Sequence, residues 1–339
     1  MEPSTNTSPP SPQHNILISI PRTASNLVTH LLNLPAQPSV LSHLRDGYFF
    51  LPALSQRFKD GIFERPHTPS ELEPMHHALQ SSAASYEAWL ATATAAEKGT
   101  YIKEHLNWTL LPSLESDFLH AFSPSSPAMD AASASSITQK PENPTAIPSS
   151  LWSQVTPTLL IRHPALVFPS ALRTALDNEG LDTVLSSSSE TMMRWECSFR
   201  WHVLLYKYLV TLSSDDQAAS SVKSPLIIDA SQLADLHFVQ RYAQRVGLDP
   251  KCVRSEWDPV ANEDVERMGK VERRMKSTLL ASGGVLKGKL EGSGSDGGLE
   301  GDRKAWEKEF GVVLAERLVR LVGEAMAEYE WLFERRWMG

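Results

Sequence analysis

A lysine and a histidine stand two residues apart in the hexapeptide YIKEHL at 101–106. On a strand, side-chain alternation puts Lys103 and His105 on one face and Glu104 on the other. This pair suits group transfer, because an imidazole can remove a proton from an acceptor hydroxyl while the lysine neutralises charge on a bridging or leaving oxygen. The lysine also favours the neutral imidazole that a base requires. Taken alone, the hexapeptide equally fits a half-exposed edge strand.

An anion-binding loop is predicted where the first apolar run of the chain ends at Pro21. The residues before the following helical pattern are Arg22, Thr23, Ala24, Ser25 and Asn26. Ligands bind at the carboxyl ends of parallel strands, where a helix N-terminus offers free backbone N–H groups and partial positive charge. The arginine adds a full charge and the hydroxyl residues add donors. The Walker A pattern is absent, and an ordinary turn in which Ser25 caps the helix fits the same residues.

A second basic residue is predicted at a strand end. Arg162 closes an apolar run and is followed by His163 and Pro164, and Ser170 lies eight residues after the arginine. An arginine at a strand end and a serine on the next helix can converge on one phosphate, to which the guanidinium makes a bidentate contact. Alone, this pattern is more typical of a surface arginine. Its position after a first loop of similar character favours an anion site.

The elements that must position these residues alternate between strands and helices. Short apolar segments predict buried strands at Asn15–Ile20, Thr100–His105, Thr158–His163 and Pro225–Asp229. Helical spacing predicts helices at Ser25–Leu34, Pro169–Glu179, Leu181–Leu212, Gln232–Gly247 and Lys304–Arg336. This alternation indicates an α/β fold in three layers, with a mainly parallel sheet flanked by helices. The triplet Tyr48-Phe49-Phe50 is expected in the core.

Composition limits the partners and the compartment. The 339 residues carry 32 Lys plus Arg and 40 Asp plus Glu, a net charge of −8, which argues against nucleic acid or an anionic membrane as a partner. Two cysteines, the lack of a long apolar span and the lack of a signal peptide predict a cytoplasmic protein. We expect a disordered N-terminus at 1–13 and a single domain at 14–339, with low-complexity insertions at about 121–150 and 282–301.

Together these motifs resemble the sulfotransferase family, as a divergent, fungal-type member. The resemblance rests on the order of strand, PRTAS loop, helix, K-x-H and R-x-P with its later serine, and it spans most of residues 15–336. It implies a sulfotransferase-like P-loop fold and transfer of a sulfuryl group from 3′-phosphoadenosine 5′-phosphosulfate (PAPS) to a small organic acceptor of secondary metabolism, without a metal. The catalytic pair would be Lys103 and His105, the 5′-phosphosulfate loop Arg22 to Asn26, and the 3′-phosphate clamp Arg162 and Ser170.

The resemblance also extends to a closing loop, which would begin at Ser282 and Gly283. The basic triplet of that loop is not cleanly present, and Lys287 and Lys289 are the nearest candidates. The first loop departs from the family as well, because Ala24 stands where the family more often has glycine. A backbone with positive φ would be strained there.

Two other functions stay open. The same fold could hold a diphosphate or another anionic substrate and catalyse its elimination or cyclisation, with the His–Lys pair driving the reaction. Alternatively, the protein binds a nucleotide or a partner without turnover. The intact Lys103 and His105 argue against the second alternative, while Ala24 favours either one. The acceptor and the oligomeric state cannot be read from the residues.

Overall fold

A computed structural model describes residues 12–120, 141–214, 223–260, 262–290 and 298–339. Residues 1–11, most of the first predicted insertion and residues 291–297 of the second lie outside the described residues. The division into a single domain with two insertions therefore stays a prediction. Within these ranges no helix is long and apolar enough to cross a membrane.

Four parallel strands form the sheet that carries the site. They are β1 (His14–Ser19), β2 (Thr100–His105), β3 (Thr156–Ile161) and β4 (Leu226–Asp229), in the order β2-β1-β3-β4. Their continuous apolar, β-branched sequences suit a sheet that is covered on both faces. The register aligns Ser19 with His105 and Ile161 with Asp229, so the chemistry-bearing ends of the strands meet at one edge.

Helices cover both faces of this sheet. Those before β3 are α1 (Ser25–Leu31), α2 (Leu51–Asp60), α3 (Glu73–Ala95), α4 (Pro112–His120) and α5 (Ser149–Trp152). Between β3 and β4 lie α6 (Pro164–Glu179), α7 (Leu181–Val184), α8 (Ser187–Cys197) and α9 (Arg200–Ser214). After β4 follow α10 (Leu236–Arg245), α11 (Asn262–Arg267), α12 (Lys270–Ala281), α13 (Gly298–Phe310) and α14 (Val312–Glu334). Short 3₁₀ turns lie at Leu34–Ala36, Leu106–Thr109, Ala230–Ala234, Pro250–Cys252 and Lys287–Lys289.

The strands divide the apolar side chains between two cores. Ile16 and Ile18 of β1 point into the larger core, which α2, α3, α6, α8, α9 and α14 complete. Leu17 points into the smaller core with α1 and α10. The three-layer α/β fold predicted from the alternation of strands and helices is therefore confirmed.

Several predicted helices are shorter or interrupted. The segment 181–212 forms three helices, because Ser186 and Ser198 accept hydrogen bonds from Ser189 and Arg200 amides and begin new helices. The segment 304–336 is broken at Gly311, which has a φ of +82°. The helix predicted at 232–247 is a 3₁₀ turn followed by α10, capped by Asp229 and Asp235.

Two boundaries shift toward the site. The strand predicted at 158–163 ends at Ile161, and α6 begins at Pro164 rather than at Pro169. Proline is favoured in the first turn of a helix, where its missing N–H has no partner to lose. The helix predicted to run to Leu34 ends at Leu31.

Candidate active site

A cleft of about 460 Å³ is lined by residues that follow β1, β2 and β3. Its charged side chains are mostly cationic. The cations are Arg22, Arg162, Arg173, Arg274, Lys276 and Lys289, against the carboxylates of Asp302 and Glu309. Such a distribution gives the cleft a positive potential although the whole chain is acidic.

The PRTAS loop turns through two left-handed residues at the base of this cleft. Arg22 and Ala24 have φ values of +68° and +70°, so an alanine adopts the backbone conformation that glycine would take without strain. Arg22, Ala24, Ser25 and Asn26 line the cleft. Thr23 does not, because it is buried and its hydroxyl donates to the Ile20 carbonyl at 2.7 Å.

The predicted 3′-phosphate residues lie directly against this loop. Nε of Arg22 donates to Ser170 Oγ at 2.9 Å, and one terminal nitrogen of Arg162 donates to the Arg22 carbonyl at 2.7 Å. The other terminal nitrogen donates to the Lys289 carbonyl at 2.5 Å. Residues from three distant segments therefore meet at one cationic corner of the cleft.

The crowding of cations has an electrostatic cost in the protein alone. Burial, followed by the neighbouring Arg22, lowers the pKa of Arg162 to about 10. Burial and Arg274 likewise lower the pKa of Arg22. Nε of Arg162 is buried and has no hydrogen-bond partner among the described residues. A bound anion would relieve this repulsion and provide an acceptor.

His105 also lines the cleft. Its Nδ1 is 2.9 Å from Ser19 Oγ, its Nε2 is 3.3 Å from Tyr48 Oη, and its ring meets Trp108 edge-on. Burial, with a contribution from Lys103, lowers the pKa of His105 to about 3. The imidazole is therefore neutral at physiological pH, as a base must be.

Lys103 is buried behind the loop and does not line the cleft. Its Nζ donates to Asn26 Oδ1 at 2.5 Å and lies 3.7 Å from the Asp46 carboxylate. Burial lowers its pKa to about 8. The lysine thus holds the end of the PRTAS loop from below.

The closing-loop residues reach the cleft in part. Ser282 and Gly284 line it, whereas the carbonyl of Gly283 accepts from the Trp257 amide at 3.1 Å. Lys289 lines the cleft and its Nζ donates to Thr278. Lys287 is not among the lining residues.

Sequence reasoning missed four cleft residues. Arg173 lies one helical turn after Ser170, and this spacing could have pointed to it. Arg274 and Lys276 belong to a basic segment of α12, just before the closing loop. Tyr48 packs against the larger core, as predicted for the Tyr48-Phe49-Phe50 triplet, and it also lines the cleft.

Comparison with known proteins gives the family. No protein-family model and no solved structure matches the chain. It is 31% identical over 341 residues to "Sulfotransferase ppzF" of Metarhizium rileyi, with 97% of each chain covered. It is also 31% identical over 348 residues to the protein of the same name from Metarhizium majus, covering 96% of this chain and 97% of that one. Since the similarity extends over nearly the full length of both relatives, the chain belongs to the sulfotransferase family.

Proposed function

We propose that this protein transfers a sulfuryl group from PAPS to a hydroxyl group of a small organic acceptor. The main support for the proposal is a cationic cleft that is also lined by His105, a buried histidine whose lowered pKa keeps it neutral. The relatives named sulfotransferases support the same reaction class.

The residues present fit a PAPS molecule. A donor with phosphate and sulfate groups needs several cations in one cleft, and bidentate arginine contacts suit phosphate oxygens. The unpartnered Nε of Arg162 and the mutual repulsion of Arg162 and Arg22 are the features that such an anion would satisfy. Arg162 and Ser170 would hold the 3′-phosphate, and Arg22, Ala24, Ser25 and Asn26 the 5′-phosphosulfate, with Ser282 in the closing loop. When bound, PAPS supplies the sulfuryl group.

His105 is the proposed general base. Its low pKa keeps Nε2 able to accept a proton near neutral pH, and burial fixes its ring against Trp108. Lys103 does not line the cleft, and we propose that it acts on the bridging oxygen through Asn26, whose side chain it holds at the end of the loop. Catalysis of this kind depends on positioning and charge neutralisation.

We further propose a cytoplasmic location. The chain has two free cysteines, Cys197 and Cys252, and no disulfide is formed between them. Free thiols are typical of proteins that stay in the reducing cytosol, where disulfides are rare.

The experiment that tests the reaction replaces the base. We expect His105→Ala to abolish sulfuryl transfer from radiolabelled PAPS, because among the described residues no other histidine lines the cleft. Binding of the desulfated cofactor, 3′-phosphoadenosine 5′-phosphate (PAP), should remain nearly intact, since His105 does not belong to the proposed phosphate-binding residues.

The matched control is His237→Ala, which removes an exposed histidine on α10. It should change neither transfer nor PAP binding. Normal turnover by His105→Ala would show that the assigned mechanism is wrong. Saturable PAP binding without transfer by the wild-type protein would instead favour a non-catalytic nucleotide-binding function.

A further inference from the structure

The proton-accepting nitrogen of His105 is already engaged within the protein. The Ser19 hydroxyl donates to the Glu104 carbonyl at 3.4 Å, so its oxygen accepts from Nδ1–H of His105 at 2.9 Å. With the Ser19 proton on the Glu104 carbonyl, the imidazole is the tautomer in which Nε2 carries the free lone pair. Tyr48 Oη lies 3.3 Å from Nε2 and therefore donates its proton to it.

Residues Asp46–Phe50, here called the strap, hold Tyr48 in this position through contacts with β2. The Lys103 amide donates to the Asp46 carbonyl at 2.7 Å, and the Tyr48 amide donates to the Lys103 carbonyl at 3.0 Å. The Phe49 amide donates to the Glu104 carboxylate. The K-E-H tripeptide therefore binds the strap with all three of its residues, since His105 bonds the Tyr48 hydroxyl.

The backbone of the strap is strained where it presents Tyr48. Asp46 and Tyr48 have φ values of +53° and +63°, and Gly47 between them has +126°. Left-handed backbone is costly for residues other than glycine, and such strain concentrates at functional sites. The strain persists here because the contacts with β2 determine the conformation.

The Tyr48 ring packs against three groups, and any movement of the ring away from His105 would break these contacts. Lys103 Nζ lies 5.0 Å from its centroid, and the rings of His105 and Trp108 lie 5.1 and 5.2 Å away. Its hydroxyl also bonds the Ser25 side chain of the PRTAS loop. If an acceptor displaced Tyr48 from His105, the protein would lose the cation–π, aromatic and hydrogen-bonding contacts of Tyr48 together.

We propose that Tyr48 takes the proton of the acceptor hydroxyl directly and passes its own phenolic proton to Nε2 of His105. The acceptor O–H bond breaks as a new O–H bond forms on Tyr48 Oη, and the phenolic O–H bond breaks as the N–H bond forms on His105. The phenol is neutral before and after the step, and the imidazole gains one proton. This inference rests on the proposed sulfuryl transfer. Burial raises the pKa of Tyr48, so the phenol has a proton to give.

The first test needs no acceptor. In protein labelled with ¹⁵N-histidine and saturated with PAP, the His105 resonances are assigned by their loss in His105→Gln. We expect Nδ1 protonated and Nε2 unprotonated but hydrogen-bonded. Tyr48→Phe, which keeps the ring and removes the hydroxyl, should shift the Nε2 resonance. The control Tyr206→Phe, on α9, should leave it unchanged. A protonated Nε2, or one that Tyr48→Phe does not shift, would overturn the proposal.

The second test separates proton relay from structural support. Two acceptors are compared with PAPS as donor: cyclohexanol, which keeps its proton, and 4-nitrophenol, which is largely ionised in mildly alkaline buffer. We expect Tyr48→Phe to lower kcat for cyclohexanol about 100-fold, the usual scale for lost acid–base catalysis, and to affect 4-nitrophenol little. KM and PAP affinity should hardly change. Tyr206→Phe should match the wild type with both acceptors.

The outcomes distinguish this inference from the function on which it rests. Full turnover of cyclohexanol by Tyr48→Phe, with His105→Ala inactive, would contradict the relay and leave the base in place. Equal losses with both acceptors would assign Tyr48 a structural role and also contradict the relay. Failure of the folded wild-type protein to bind PAP, with the expected tautomer still present, would contradict the proposed function instead.

Discussion

Burial lowers the pKa of both proposed catalytic groups, His105 and Lys103. It lowers the pKa of His105 to about 3 and that of Lys103 to about 8. The histidine is therefore neutral and the lysine charged between these values. In this pH range the proposed base, His105, is neutral while the proposed stabilising charge, on Lys103, is present.

The pH profile of kcat/KM should reflect this arrangement. We expect no loss of kcat/KM near pH 6.5, the ordinary pKa of histidine, because His105 titrates near 3. A decline should begin near pH 8, where Lys103 loses its proton. The measurement is kcat/KM against pH, which reports groups of the free enzyme.

Two variants identify the group behind the alkaline decline. Lys103→Arg should move it to higher pH, because a guanidinium keeps its charge. Glu104, whose pKa burial raises to about 8, titrates in the same range, so Glu104→Gln serves as the control and should leave the decline in place. An acid limb near 6.5 would contradict the assignment of His105 as a buried, neutral base.

The strap packs so closely against β2 that it requires glycine at position 47. At Gly47 a Cβ atom would lie 2.2 Å from the Lys103 carbonyl oxygen, a backbone atom that β2 holds in place. We expect Gly47→Ala to lower the free energy of unfolding by about 2–4 kcal/mol, since both the clash and the positive φ are unfavourable. Denaturant unfolding measures this change.

Gly323 in α14 provides the matched control, because a Cβ there meets no atom within 4 Å. Gly323→Ala should raise the free energy of unfolding by roughly 0.5–1 kcal/mol, the usual gain in a helix interior. Equal stability of Gly47→Ala and the wild-type protein would show that the strap does not require glycine at this position.

Regular elements could be predicted better than the strap. The strands lie within two residues of their predicted bounds, since continuous apolar runs are a strong signal of buried parallel strands. His105, most of the PRTAS loop and Arg162 line one cleft, as their positions at strand ends imply, whereas Lys103 lies behind the loop. The left-handed backbone at Asp46 and Tyr48 could not be predicted, because tertiary contacts with β2 impose it on residues that do not favour it.

Charge is distributed unevenly over the whole molecule. The whole chain has a net charge of −8, whereas the cleft gathers cations from α6, α12, the PRTAS loop and the closing loop. Composition alone could not predict this concentration, because Arg173, Arg274 and Lys276 become neighbours only on folding. An acidic protein can thus hold an anionic nucleotide.

Ionic strength should reveal this asymmetry. We expect the affinity for PAP to fall as salt rises from about 0.1 M to about 1 M, because the screening length shortens from about 10 Å to about 3 Å. Calorimetric titration at the two salt concentrations measures the change. Affinity that rises with salt would mean that repulsion by the acidic surface outweighs attraction in the cleft.

The most direct test of the account is calorimetric titration of the folded protein with PAP, repeated on Arg162→Ala and on the control Lys207→Ala, which removes a cation on α9 outside the cleft. We predict micromolar binding to the wild-type protein and to the control. Loss of the charge-assisted contact should weaken binding to Arg162→Ala by about 2–3 kcal/mol. No binding of PAP by the folded wild-type protein, or equal binding by Arg162→Ala, would contradict the assignment of this cleft as the PAPS site.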